Sequence, residues 1–87
     1  MEVEVGGHRI AARMSRLPFW QCIFYDGREV SRERFFGPGT HAFWVMEDGR
    51  EVRYEVDTGR DPLARIAAIR RLGAVVYPPG DAALAAD

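Results

Sequence analysis

Three side chains in this sequence are of the kind that supplies covalent or metal chemistry: Cys22, His8 and His41. A thiol attacks as its thiolate and needs a neighbouring base, a role open to either histidine. Cys22 stands between Trp20 and Phe24 in an apolar run, where a free cysteine behaves as a small buried hydrophobe. The chain therefore reads as a non-enzyme, with a Cys22-dependent activity as the alternative. Metal-binding histidines come at short, regular spacings or in clusters with Cys, Asp or Glu. His8 and His41 are far apart in the chain with no such cluster, so neither a metal nor a cofactor is expected. His41 reads as a hydrogen-bonded histidine on the inner face of a strand. Glu47, Asp48, Glu51 and Glu55 are scattered over turn and surface positions and suggest no acid–base pair. The run Gly37-Pro38-Gly39-Thr40-His41 lacks the Gly-Lys-Ser/Thr ending of a phosphate loop and reads as a tight connection.

The basic residues carry more information. All 12 are Arg, whose planar fork suits bidentate contacts better than Lys does. A net charge of −1 argues against a generally basic nucleic-acid binder. Local clusters remain: Arg28, Arg32 and Arg34 along one strand, and Arg60, Arg65, Arg70 and Arg71 near the C-terminus. With the aromatic residues expected near them, the candidate partner-binding set is Trp20, Phe24, Arg32, Arg34, Trp44, Arg53, Arg65, Arg70 and Arg71.

These side chains need a scaffold, and the first sixty residues read as strands and turns. Glu2 to Val5 alternates polar and apolar, as a half-buried strand does. Gly6-Gly7 is a turn, and His8 to Met14 the return strand. Phe19 to Tyr25 and Arg28 to Phe36 flank Asp26-Gly27; Thr40 to Glu47 and Arg50 to Val56 flank Asp48-Gly49. Asp-Gly between strand-like runs is a strong hairpin signal, because a type I′ turn needs positive φ at both central residues. The second hairpin should pair Val45 with Val52, Phe43 with Tyr54 and His41 with Val56 on a core face. Its other face should pair Met46 with Glu51, Trp44 with Arg53 and Ala42 with Glu55, with Trp44 and Arg53 stacked as a cation–π pair. The same register rule in the first hairpin pairs Ile23 with Val30, Gln21 with Arg32 and Phe19 with Arg34. It pairs Trp20 with Glu33, Cys22 with Ser31 and Phe24 with Glu29 on the opposite face. The repeat Asp-Gly-Arg-Glu-Val at 26–30 and 48–52 reads as two independent hairpins using the same turn residues, with an internal duplication as the alternative.

Beyond residue 60 the pattern changes. Asp61 as N-cap, Pro62 at the first helical position, a stripe of Leu63, Ile66, Ile69 and Leu72, and Gly73 as stop predict a helix packed on the sheet. Ala74 to Tyr77 suits a last short strand, and 78–87 a flexible tail. The fold class expected is α+β, mostly β: an antiparallel sheet of two Asp-Gly hairpins plus N-terminal strands, with one C-terminal helix. The expected core is Val3, Val5, Ile10, Phe19, Ile23, Val30, Phe43, Val45, Val52, Tyr54, Val56, Leu63, Ile66 and Ile69.

The 87 residues make one small domain over 1–77 with a modest core. A single cysteine excludes an internal disulfide, so self-association is the expected reinforcement. No stretch approaches the roughly 20 apolar residues of a membrane span. The acidic start Met-Glu-Val-Glu-Val is unlike a secretion signal, so a cytoplasmic location is expected.

Phe24-Tyr25-Asp26-Gly27-Arg28-Glu29-Val30-Ser31, followed by Phe35-Phe36 and His41-Ala42-Phe43, resembles the strand pattern of the Fas apoptotic inhibitory molecule family over residues 2–56. That resemblance implies a compact antiparallel β-sandwich that is not known as an enzyme. The helix and tail expected over 61–87 depart from the family, which continues with strands. Together these readings make the chain a non-enzymatic protein-interaction module, homodimeric or bound to another protein. A small inhibitor or regulator from a mobile element, of the anti-defence or anti-CRISPR type, is one form of it. The alternative is a nucleic-acid-binding domain using the Arg stripe and exposed aromatics.

Overall fold

A computed structural model describes residues 1–15, 20–34, 39–59 and 65–79. Among them the protein is all β: β1 (Glu2–Val5), β2 (His8–Ser15), β3 (Trp20–Tyr25), β4 (Arg28–Arg34), β5 (Gly39–Glu47), β6 (Arg50–Thr58), β7 (Ile66–Arg71) and β8 (Ala74–Tyr77). Two antiparallel sheets result, here called sheet A, in the order β1-β2-β3-β4, and sheet B, in the order β5-β6-β7-β8. Four two-residue turns join the hairpins, at Gly6-Gly7, Asp26-Gly27, Asp48-Gly49 and Leu72-Gly73. All eight residues have positive φ, the geometry that matches the right-handed twist of the flanking strands.

The β5–β6 hairpin has the register its Asp48-Gly49 turn dictates. Val45 faces Val52, Phe43 faces Tyr54 and His41 faces Val56, all buried; Met46 faces Glu51, Trp44 faces Arg53 and Ala42 faces Glu55 on the outer side. Arg53 places its guanidinium 3.0 Å from Glu55; the described guanidinium–ring contacts lie on sheet A instead of at Trp44.

Two expectations are corrected. First, β3 and β4 keep the turn register only as far as Phe24 opposite Glu29. Then Ile23 faces Ser31, Gln21 faces Glu33, Cys22 faces Arg32 and Trp20 faces Arg34. Val30 is the extra residue of a β-bulge, and a one-residue shift exchanges the faces beyond it. Second, the C-terminal helix is not seen: β7 and β8 occupy 66–77, while Asp61, Pro62 and Leu63 lie outside the described residues. Ile66 and Ile69 are both buried although three apart, a helix-like spacing. Another bulge explains it. Val56 faces Ile69 and Asp57 faces Ala68, but Thr58 faces Ile66, so Ala67 is the extra residue and the strand turns both isoleucines inward.

The sheets pack through one core that joins Val3, Val5, Ile10, Ala12, Ile23 and Tyr25 of sheet A to Phe43, Val45, Val52, Tyr54, Val56, Ile66 and Ile69 of sheet B. Ile10, Ile23, Val56 and Ile69 are fully buried. Each such side chain contributes about 1.5–3 kcal/mol relative to exposure. Val30 is half-buried against this core, and Phe19, also expected in it, lies outside the described residues. The expected tail lies outside them from residue 80 onward. No helix among the described residues is long and apolar enough to cross a membrane.

Candidate interaction surfaces

Polar side chains inside the sandwich are tied to one another. At one end Glu47, at the foot of β5, is buried. Its Oε2 accepts hydrogen bonds from the Tyr25 hydroxyl, across the sheet interface, and from the Tyr54 hydroxyl at 2.5 Å. Its Oε1 accepts two from Arg71, at 3.1 and 2.6 Å. Burial alone would raise the carboxyl pKa, but these four donors outweigh it and hold Glu47 at about 2. The same burial, with the carboxylate alongside, pushes Tyr54 up to about 12 and Tyr25 higher still. A carboxylate so fully donated to is a strut between sheets, without the spare lone pairs of a general base. Beside it a cleft of about 420 Å³ is open to His8, whose ring stacks on Tyr25. His8 Nδ1 lies 2.7 Å from Asp26 Oδ2, and that hydrogen bond raises the histidine's pKa.

The other end holds His41, 2% exposed. Its Nε2 donates to Gln21 Oε1 at 2.7 Å, and its Nδ1 accepts from Ser31 Oγ at 2.7 Å. Thr58 Oγ1 donates to the same Gln21 oxygen at 2.8 Å. Both histidines face inward, whereas Cys22 pairs with Arg13 and Arg32 on the outer side of sheet A. The sheet therefore separates the thiol from either candidate base. Cys22 is also buried, and desolvation raises its pKa, which disfavours the thiolate. No group of three or more His, Cys, Asp or Glu placed to hold a metal occurs among the described residues.

Seven of the nine expected partner-binding residues divide between the two outer faces, Arg65 and Arg71 being the exceptions. Trp20, Phe24, Arg32 and Arg34 come together on sheet A. The Arg32 and Arg34 guanidinium carbons lie 5.9 and 5.3 Å from the Trp20 ring centre. Arg13 of β2, absent from the sequence-based set, lies 5.4 Å from the Phe24 ring centre. The Val30 bulge makes this assembly, because the unshifted register puts Arg32 and Arg34 on the opposite face from Trp20. These guanidinium–ring lids also explain why Cys22 is buried on an outer face.

Trp44 and Arg53 lie on the outer face of sheet B with Arg70, while Arg71 is turned inward to Glu47. Arg70 donates to both Asp57 oxygens, at 2.7 and 2.9 Å, and to Glu55 at 2.9 Å. That leaves no basic patch made by Arg70 and Arg71 together; Arg65 is exposed just before β7. Trp44 and Met46 stand 60% and 61% exposed on β5, Met46 being on the expected outer face but absent from the sequence-based partner set.

Among the described residues β5 is also an edge, with β6 as its one neighbour in the sheet. Natural proteins guard edges with charge, brevity or bulges. β1 is four residues long with outward Glu2 and Glu4; β4 is bulged and carries Arg32 and Arg34; β8 is four residues long and its pairing is bulged. β5 runs for nine residues without a bulge, and its outward residues Thr40, Ala42, Trp44 and Met46 are all uncharged. Comparison with protein-family models, with curated proteins and with solved structures finds no match.

Proposed function

We propose that this protein is a cytoplasmic, non-enzymatic protein-interaction module that works as a homodimer, with β5 as the docking strand. The unguarded edge of β5 carries this reading. Backbone groups on an edge await a strand partner, and an isologous contact needs a self-compatible surface. A strand whose outer side chains carry no charge meets a second copy of itself without like-charge repulsion. Antiparallel β5–β5′ pairing would join two B sheets into one and merge two Ala42-Trp44-Met46 stripes into a continuous apolar band. The small core of a chain this short gives association something to add. The resemblance to the Fas apoptotic inhibitory molecule family, not known as enzymes, bears on the non-enzymatic part of this reading alone.

The test is size-exclusion chromatography with light scattering over a concentration series, on the wild type and on the double variant Ala42→Lys/Met46→Lys. Both substituted positions are exposed, so the fold should tolerate them. A wild-type dimer that becomes a monomer in the variant, with unchanged circular dichroism, is the expected result. A wild type that stays monomeric at every concentration overturns the reading.

A further inference from the structure

We propose that the outer face of sheet A is a binding platform for single-stranded nucleic acid. The face is built from the middle of the sheet outward. Trp20 and Phe24 project from β3, with strands on both sides of it. Their separation along the strand places the two rings about 13 Å apart. Arg13, from β2, caps the Phe24 ring; Arg32 and Arg34, from β4, cap Trp20. Arg13 and Arg34 are exposed, so the guanidinium plane and N–H edges of each are open to solvent. The plane accepts a nucleobase and the edges grip phosphate oxygens bidentately.

Local charge supports this in spite of the overall −1. Glu29 is the carboxylate within the patch, and it accepts from Arg32 at 2.8 and 3.0 Å. Among the described residues neither Arg13 nor Arg34 has a carboxylate partner, and both are exposed. Of the other acids, Glu2 and Glu4 share this face but stand on its far edge strand β1, where Arg9 lies 4.0 Å from Glu2, and Glu51, Glu55 and Asp57 lie on sheet B. An acidic peptide would use the guanidinium edges alone. The pairing of each ring with a stacked cation is the arrangement that single-stranded nucleic acid exploits.

Fluorescence anisotropy with labelled oligothymidylate and oligouridylate of about twelve nucleotides tests the proposal, at about 50 and 200 mM salt. Binding at low salt that falls steeply at high salt is expected. Arg13→Gln and Arg34→Gln should each weaken it several-fold and flatten the salt dependence. Trp20→Ala should weaken it about tenfold. The two Arg variants keep the test decisive if Trp20→Ala does not fold. Arg50→Gln, at an exposed position on the other sheet, should bind as the wild type does, and so should the Ala42→Lys/Met46→Lys double variant, so failure of the dimer would not touch this result. No binding at low salt, wild-type binding by both Arg variants, or equal displacement of the oligonucleotide by polyglutamate would overturn it.

Discussion

Ser31 Oγ lies 2.7 Å from His41 Nδ1, and the single extra residue Val30 in β4 brings them together. Without that bulge Ser31 would sit on the solvent face, and the inner lone pair of a buried imidazole would lack its donor. With Ser31 donating to Nδ1 and Gln21 accepting from Nε2, His41 is held in one neutral tautomer.

That neutrality makes stability fall in mild acid. Burial lowers the His41 pKa below 6.5, against a smaller opposing pull from Glu33. Below pH 6.5 the unfolded chain takes up a proton that the folded chain resists, so stability is lost as the pH falls toward the folded pKa. His8 acts in the opposite direction, because Asp26 raises its pKa and its contribution is present at low pH. The readout is therefore a difference: urea unfolding of wild type and His41→Gln from about pH 8 to 5. The wild type's advantage should shrink as the pH drops through 6.5. A gap independent of pH would contradict the assignment.

Glu47 predicts a second, more acidic window. Its pKa drops from 4.5 to about 2 on folding. At about 1.4 kcal/mol per unit, this corresponds to about 3 kcal/mol, present above pH 4.5 and lost as the pH falls toward 2. Glu47→Gln should cost a similar amount at neutral pH, because it leaves Arg71 facing a buried amide. Denaturation of both proteins at pH 7 and near pH 2.5 checks it: the gap should be wide at the first and mostly closed at the second.

Leu72 offers a gain of stability. It holds φ of 53° at the first turn position before Gly73 and is 61% exposed, so it sits in a left-handed conformation with little packing in return. Leu72→Asn supplies the residue that a type I′ turn prefers and should stabilise the protein by about 1 kcal/mol. Thermal unfolding would show it as a melting temperature several degrees higher. An unchanged or lower value would mean that the Leu72 side chain is worth more than its strain.

Turn residues and bulges decide how much of the fold and of the surfaces is legible in the sequence. The β5–β6 register was legible because Asp48-Gly49 fixes the turn and the alternation from His41 to Val56 is unbroken. The β3–β4 register was legible only up to Phe24, since nothing in Glu29-Val30-Ser31 marks Val30 as an extra residue. That slip also hid the stacking of Arg32 and Arg34 on Trp20, although all three residues had been singled out. The β7–β8 hairpin read as a helix for two reasons. The bulge at Ala67 gives Ile66 and Ile69 a three-residue spacing, and Leu72-Gly73 lacks the Asp that announced the turns at Asp26-Gly27 and Asp48-Gly49. Glu47 and Arg71 belong to strands that meet only through β6, so their pairing was visible only in three dimensions.

Each sheet is a meander of consecutive strands: residues up to 34 build one and residues from 39 onward the other. Every strand therefore zips onto its neighbour in the chain, and loop-closure entropy is small until the two halves meet. The contacts that span long stretches of chain, such as Gln21 with Thr58 and Tyr25 with Glu47, belong to the docking of one completed sheet on the other. In folding terms the molecule is two hairpin ladders with one late, shared event. The buried polar ties between the sheets are then what specify how the ladders come to rest.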